Sequence, residues 1–202
     1  MRTNAAAVLV PVKAFALAKQ RLADVLDPAA RRSLAAAMAK TVLQAAGSLP
    51  TAVVCDDEEV RAWASDQGAE AIWTPGLGLN GAVEAGIAHL AQRGTHRVIV
   101  AHADLPLATD LAWLADTDGV TLVPDRRSDG TNALCVPATA GFALAYGAGS
   151  FRAHRTEAAR LGLVTRLVQD AALGWDVDVP ADLHVPAALD PPAYLAGTVP
   201  CP

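Results

Sequence analysis

The sequence predicts an α/β fold, a three-layer α/β/α sandwich around a mostly parallel, mixed sheet. Short apolar runs alternate with alanine-rich amphipathic stretches from residue 7 to beyond residue 101. That alternation is the pattern of parallel strands joined by crossover helices that cover both faces of a sheet. The 202 residues are 52% hydrophobic but only 4% aromatic, and small side chains suit helices packed closely on strands. Residues 1–202 are read as one domain, large enough for a substantial core.

The elements follow in order. "AVLVPV" (7–12) is a buried strand. "DPAARRSLAAAMAKTVLQAAG" (27–47) is a helix with Asp27 as its cap, Pro28 in its first turn, an apolar stripe through Leu34, Met38 and Val42, and Gly47 at its exit. "TAVVC" (51–55) and "AEAIW" (69–73) are strands, separated by a helix over 57–68. A helix over 80–94 precedes the strand "HRVIVA" (96–101), which is followed by "ATDLAWLADT". After Gly119 the rhythm changes: "VTLVPD", "NALCVP" and "GLVTRLVQD" read as strands with less helix between them, predicting a mixed edge to the sheet. The proline-rich tail from Val185 reads as irregular.

Sheets of this kind bind ligands beyond the carboxyl ends of their strands. Lys13, Asp56, Pro75 and Asp104 stand at such ends. Lys13, Lys19 and Arg21 lie together just past the first strand, in a chain with three lysines, a net charge of −5 and a pI near 5.4. The acidic balance argues against nucleic-acid binding. An anionic ligand must then be held locally, and lysine and arginine at a strand end suit a polyphosphate.

"VIVAHADLPLA" places Asp104 where a carboxylate could hold Mg²⁺ against phosphate, or cap a turn. His102 beside it reads as a hydrogen-bonded structural histidine rather than a ligand. "GWDVDVPADL" offers Asp176 and Asp178 as a second acidic point, on one side of an extended segment, with Pro180 and Asp182 opening a short helix. "PDRRSDGTNALCVP" and "YGAGSFRAH" are turn-rich segments whose main-chain amides can wrap a small anion. "TPGLGLNGAVEAG" is a glycine loop running into a helix N-terminus, but it is neither GxGxxG nor a Walker A loop.

The three cysteines, Cys55, Cys135 and Cys201, are widely spaced, and Cys55 and Cys135 sit in apolar runs as small core residues. No stretch approaches the ~20 apolar residues of a membrane span, and the N-terminus lacks signal-peptide architecture. A cytoplasmic protein with no membrane partner is expected.

Six segments, "VPVKAFALAKQRL", "GLNGAVEAG", "ADLP", "PDRRSDGTNAL", "YGAGSFRAH" and "DVDVPADL", together resemble, in order, the CofC/FbiD guanylyltransferases of coenzyme F420 biosynthesis, over about residues 8–183. The resemblance implies a Rossmann-like, GT-A-type nucleotidyltransferase fold. It also implies Mg²⁺-dependent transfer of GMP from GTP to a small phosphorylated three-carbon acid (2-phospho-L-lactate, phosphoenolpyruvate or 3-phosphoglycerate), with pyrophosphate leaving. Carried over by position, Asp104 and Asp178 hold the metal, with Asp176 as the alternative second ligand. Lys13, Lys19 and Arg21 hold the triphosphate, Asn80 and Gly81 sit by the nucleoside, and the main chain at Thr131, Gly147 and Ser150 binds the acceptor carboxylate. An acceptor phosphate is already an anionic nucleophile, so alignment and charge neutralisation suffice.

Three departures stand out. Val179 occupies the middle of an expected "DTP", Tyr146 stands where phenylalanine is commoner, and the adjacent Arg126 and Arg127 either alter acceptor choice or face solvent. The expected partners are GTP and the acid, with a homodimer as the working assembly. Two other readings compete. One is a nucleotidyltransferase with a molybdopterin or sugar-phosphate acceptor, disfavoured because "VKAFALAKQRL" replaces the glycine-rich loop of those enzymes. The other is a non-catalytic nucleotide-binding module.

Overall fold

The computed structural model describes residues 6–196; Cys201 and the last part of the proline-rich tail lie outside the described residues. Seven strands form one sheet: β1 (Ala6–Pro11), β2 (Thr51–Cys55), β3 (Glu70–Trp73), β4 (Arg97–Ala101), β5 (Val120–Pro124), β6 (Thr131–Pro137) and β7 (Thr165–Leu167), in the order β3-β2-β1-β4-β6-β5-β7. The helices are α1 (Pro28–Gln44), α2 (Glu58–Asp66), α3 (Gly78–Gln92), α4 (Ser150–Arg160) and a short α5 (Ala193–Ala196).

Side-chain alternation along β1 divides the core. Val8 and Val10 join Ala35, Ala39 and Val42 of α1 and Val60 and Ala64 of α2 on one face. Ala7 and Leu9 join Val83, Ile87 and Leu90 of α3 and Ala158 of α4 on the other. This is the expected three-layer sandwich. Capping follows the sequence too: Asp27 Oδ1 accepts from Ala30 N at 2.8 Å to start α1, and Asp57 Oδ1 accepts from Val60 N at 3.0 Å to start α2. Cys55 and Cys135 are buried free thiols, and burial pushes Cys135 up to about 11.

β1 pairs in parallel with both β2 and β4. The chain therefore leaves β1 toward one side of the sheet and later returns on the other, which opens a crevice beyond its carboxyl end. Gly86 lets α3 approach the sheet closely, since a Cβ there would lie 2.7 Å from Leu9 Cδ2 and from Val54 Cγ1.

The strands after Gly119 form the mixed end of the sheet, with β6 antiparallel to both β4 and β5 and edge strand β7 parallel to β5. The tight turn over residues 125–130, where Asp125 accepts from the N–H groups of Arg127, Asp129 and Gly130, folds β6 back between β5 and β4. Two other expectations need correction. "YGAGSFRAH" is a turn only in its first half, because Ser150 begins the 11-residue α4. The tail is irregular only in part. Leu195 is buried with Leu34 and Met38 of α1, and Tyr194 Oη lies 3.1 Å from Thr41 Oγ1. Among the described residues no helix is long and apolar enough to cross a membrane.

Candidate active site

A cavity of about 650 Å³ opens at the carboxyl ends of β1, β2 and β4, and Lys13, Lys19, Arg21, Asp56, Asp104 and Asp178 are among its lining residues. The basic residues come from the loop after β1, which makes two 3₁₀ turns over Phe15–Leu17 and Gln20–Leu22. Each turn is pinned by a buried side chain: Phe15 packs edge-on against Trp63 at 5.2 Å, and Leu22 is wholly buried. Lys19 lies between the turns in the left-handed region, at φ 53°, a conformation costly for a residue with a Cβ.

That backbone sends the Lys19 ammonium inward. Nζ donates to Asp104 Oδ2 at 2.7 Å and to Asp178 Oδ1 at 3.1 Å, so the two carboxylates lie within reach of one cation. The Lys19 side chain is 10% exposed, Asp104 21% and Asp178 44%. Burial works against the Lys19 ammonium, yet the charges and hydrogen bonds of Asp104 and then Asp178 carry its pKa above the ordinary lysine value. Burial likewise opposes ionised Asp104, but Lys19 and then His102 outweigh it and hold that carboxyl below the usual range. Asp104 Oδ1 and His102 Nε2 are buried with no hydrogen-bond partner among the described residues.

Thr131, Gly147 and Ser150 gather in a second cluster. Thr131 Oγ1 lies 3.0 Å from His154 Nδ1, Ser150 Oγ donates to Thr131 Oγ1 at 3.4 Å, and Ser150 N donates to Gly147 O at 3.1 Å. Ala145 N donates to His154 Nε2 at 3.0 Å, so Nδ1 carries the proton and donates to Thr131. His154 is wholly buried; burial, then His102, lowers its pKa to about 4. Tyr146 links this cluster to the cavity, its ring centroid lying 4.8 Å from His102 and 4.9 Å from His154.

The guanylyl transferase CofC-like family model matches residues 6–185. The chain belongs to that family. It is 36% identical over 185 residues to phosphoenolpyruvate guanylyltransferase of Sphaerobacter thermophilus, covering 87% of this chain and 89% of that one. Among solved structures it is similar to a candidate nucleotide-diphospho-sugar transferase from Desulfovibrio desulfuricans G20 (TM-score 0.70, 17% identity, 88% of this chain and 84% of that one). It is similar as well to 4-diphosphocytidyl-2C-methyl-D-erythritol synthase (TM-score 0.57, 13% identity, 91% and 98%). The fold is that of the nucleotidyltransferases, and the chain is an enzyme of that class.

In this guanylyltransferase Asn80 and Gly81 lie in the first turn of α3 but do not line the cavity, whereas Gly78, Leu79 and Ala82 do. The Asn80 amide instead clamps the main chain of Tyr146, accepting from its N–H at 2.8 Å and donating to its carbonyl at 3.5 Å.

The sequence did not reveal what holds Asp178 in place. Asp182, fully buried, accepts from Asp178 N at 2.8 Å and Val179 N at 2.9 Å through Oδ2. Its Oδ1 pairs with Arg126, which also donates to Asp176 O at 3.0 Å and stacks 4.4 Å over Trp175. Arg126 does not line the cavity; it stays partly open to solvent while its guanidinium buttresses the loop that carries Asp178. Asp176 turns to Arg126, at 3.4 Å, while Asp178 shares Lys19 with Asp104. The five-residue spacing D-V-P-A-D was the available signal, an aspartate placed to accept from the amides three and four residues back.

Proposed function

We propose that the enzyme transfers GMP from GTP to a phosphorylated three-carbon acid, phosphoenolpyruvate first among the candidates, in the service of coenzyme F420 biosynthesis. The observation that carries this reading is the single Lys19 ammonium shared by Asp104 and Asp178 in a cleft with Lys13 and Arg21. The name of the Sphaerobacter relative supports the choice of acceptor.

The donor set fits Mg²⁺. Asp104 and Asp178 present only oxygens, and Asp104 Oδ1 is buried with no hydrogen-bond partner among the described residues. Among the described residues no group of three or more His, Cys, Asp or Glu gathers for a metal. Two carboxylates match what Mg²⁺ commonly takes from a protein, with water and substrate oxygens completing its shell. When bound, Mg²⁺ neutralises charge on the triphosphate and the leaving pyrophosphate.

The chain's own groups do the rest. Lys13, Lys19 and Arg21 offset the triphosphate charge, and Lys19 is already fixed above the two carboxylates. An oxygen of the acceptor phosphate attacks the α-phosphorus of GTP, the bond from that phosphorus to the β-bridging oxygen breaks, and pyrophosphate departs. No proton need be removed from the nucleophile, which agrees with a cleft whose catalytic groups are cations and carboxylates. The main chain at Thr131, Gly147 and Ser150 is assigned to the acceptor carboxylate, with the buried His154 keeping Thr131 in place.

The test is a grid of the four NTPs against phosphoenolpyruvate, 2-phospholactate and 3-phosphoglycerate with Mg²⁺, read by pyrophosphate release and product mass. A GTP-dependent adduct with one acid is expected. A folded protein that releases no pyrophosphate in any combination would falsify the reading.

A further inference from the structure

The cleft holds a third carboxylate that the reaction above leaves unused. Asp56 directly follows β2, lines the same cavity as Lys13, Lys19 and Asp104, and is exposed. Among the described residues it makes no hydrogen bond or ion pair. Its neighbour Asp57 is spent on capping α2, so the adjacent aspartates divide into one structural residue and one with nothing to hold.

A free carboxylate is unfavourable in a cleft that takes a triphosphate, unless it meets hydrogen-bond donors. Its place in the sheet says which part of the ligand supplies them. β2 lies on the opposite side of β1 from β4, so Asp56 stands two strand spacings, roughly 10 Å, from the end that carries Asp104. That separation is comparable with the span from a nucleotide's α-phosphate to the far edge of its base. At this end Val54, Thr74, Leu79 and Ala82 line the cavity, and Leu79 is 42% exposed. An exposed leucine at a cavity wall suits the flat face of a base.

We propose that Asp56 is the residue that reads guanine. Its two carboxylate oxygens accept from the ring N1–H and the exocyclic 2-amino group. Guanine alone of the four bases presents two adjacent donors on its Watson–Crick edge, and a carboxylate is their natural complement. The proposal rests on the reading of GTP as donor, and it makes Asp56 a specificity-determining residue rather than part of the phosphate machinery.

The experiment compares wild type and Asp56→Asn with GTP, ITP, XTP and 2′-deoxy-GTP, measuring both kcat/KM with phosphoenolpyruvate and nucleotide affinity by calorimetry. Wild type should favour GTP over ITP, which lacks the 2-amino group, by on the order of 10- to 100-fold, and should treat 2′-deoxy-GTP nearly as GTP. Asp56→Asn should lose about 100-fold on GTP and gain on XTP, whose 2-oxo group accepts from the new amide, so that the preference inverts. The substitution is conservative and at an exposed position, so an unchanged melting temperature should accompany the switch. Equal use of ITP and GTP by wild type overturns the proposal, as does an unaltered GTP-to-XTP ratio in the variant. Strong discrimination against 2′-deoxy-GTP alone also overturns it, assigning Asp56 to the ribose. The calorimetric ratios need no turnover: guanine-selective binding lost in the variant, in a protein that never releases pyrophosphate, would uphold Asp56 while sinking the transferase reading.

Discussion

Replacing Lys19 should separate what its charge contributes from what its backbone costs. Lys19→Ala leaves Asp104 and Asp178 facing each other without the shared ammonium. Breaking a fully buried pair by removing one partner costs about 3–5 kcal/mol. Asp104 is only 21% exposed but Asp178 is 44% exposed, so the second contact is largely screened by solvent, and about 2 kcal/mol is the expected loss. For a chain of this length that is roughly 4–8 °C in melting temperature. Lys19→Gly loses the same ammonium but relieves the left-handed backbone at φ 53°, and should recover about 1 kcal/mol relative to the alanine variant. Urea unfolding at neutral pH in EDTA measures both. Repeating it with millimolar Mg²⁺ should shrink the gap between wild type and Lys19→Ala, because a divalent ion supplies the charge that the two carboxylates lost. Equal stability of wild type and Lys19→Ala in EDTA would refute the argument, and a gap indifferent to Mg²⁺ would remove the shared-cation part of it.

Three further outcomes follow from the same geometry. Arg126→Ala removes one of two guanidiniums from the buried Asp182, which keeps its two main-chain donors and Arg127 at 3.5 Å; a loss of about 1–3 kcal/mol in urea unfolding is expected, and Arg126→Lys should recover little because the fork and the stack on Trp175 are both lost. Gly86→Ala forces a methyl to within 2.7 Å of Leu9 and Val54 and should destabilise by about 1–3 kcal/mol, read as a lowered melting temperature. His154 is held neutral by burial, with a pKa near 4 against 6.5 when exposed. Since the unfolded chain binds the extra proton first, its contribution is complete above pH 6.5 and is lost as pH falls toward 4. It amounts to about 3 kcal/mol at most, and a His154→Gln variant should show a shallower acid limb of stability.

The sequence made β1, α1 and β2 legible because each carries a local signature: an apolar run, a capped helix with a stripe, a second run. Capping by Asp27 required only its position before Pro28. The order of the later strands had no such signature. β6 reads as an apolar strand wherever it pairs, and only the Asp125-centred turn, which folds it back beside β5, places it next to β4. α4 was hidden by Gly147 and Gly149, whose turn signal masked the helix that starts at Ser150. In the site, Lys13 and Asp104 could be located from strand ends alone. The pairing of Lys19 with both carboxylates could not, since it depends on a left-handed backbone at a lysine. Nor could the ion pairs of Arg126, whose partners lie 50 and 56 residues away in sequence. The missing information in each case concerns tertiary neighbours, which periodicity does not encode.

Apolar packing brings together the segments that carry the charged atoms of the site, and the Asp182–Arg126 contacts then fix the local loop of Asp178. Lys19 and Asp178 are 159 residues apart in sequence, and an ion pair as exposed as theirs contributes too little to bring their segments together. Leu22, three residues after Lys19, and Val177, one before Asp178, both belong to a buried cluster with Leu26, Leu34, Met38, Leu183 and Leu195. Each fully buried leucine is worth roughly 1.5–3 kcal/mol, so this cluster outweighs the ion pairs it supports. Its members come from the basic loop, α1, the Asp178 segment and α5, which makes the tail part of the seat of the site. The consequence is preorganisation: Lys19 and its two carboxylates are held before any nucleotide arrives, and binding energy need not be spent on ordering those segments.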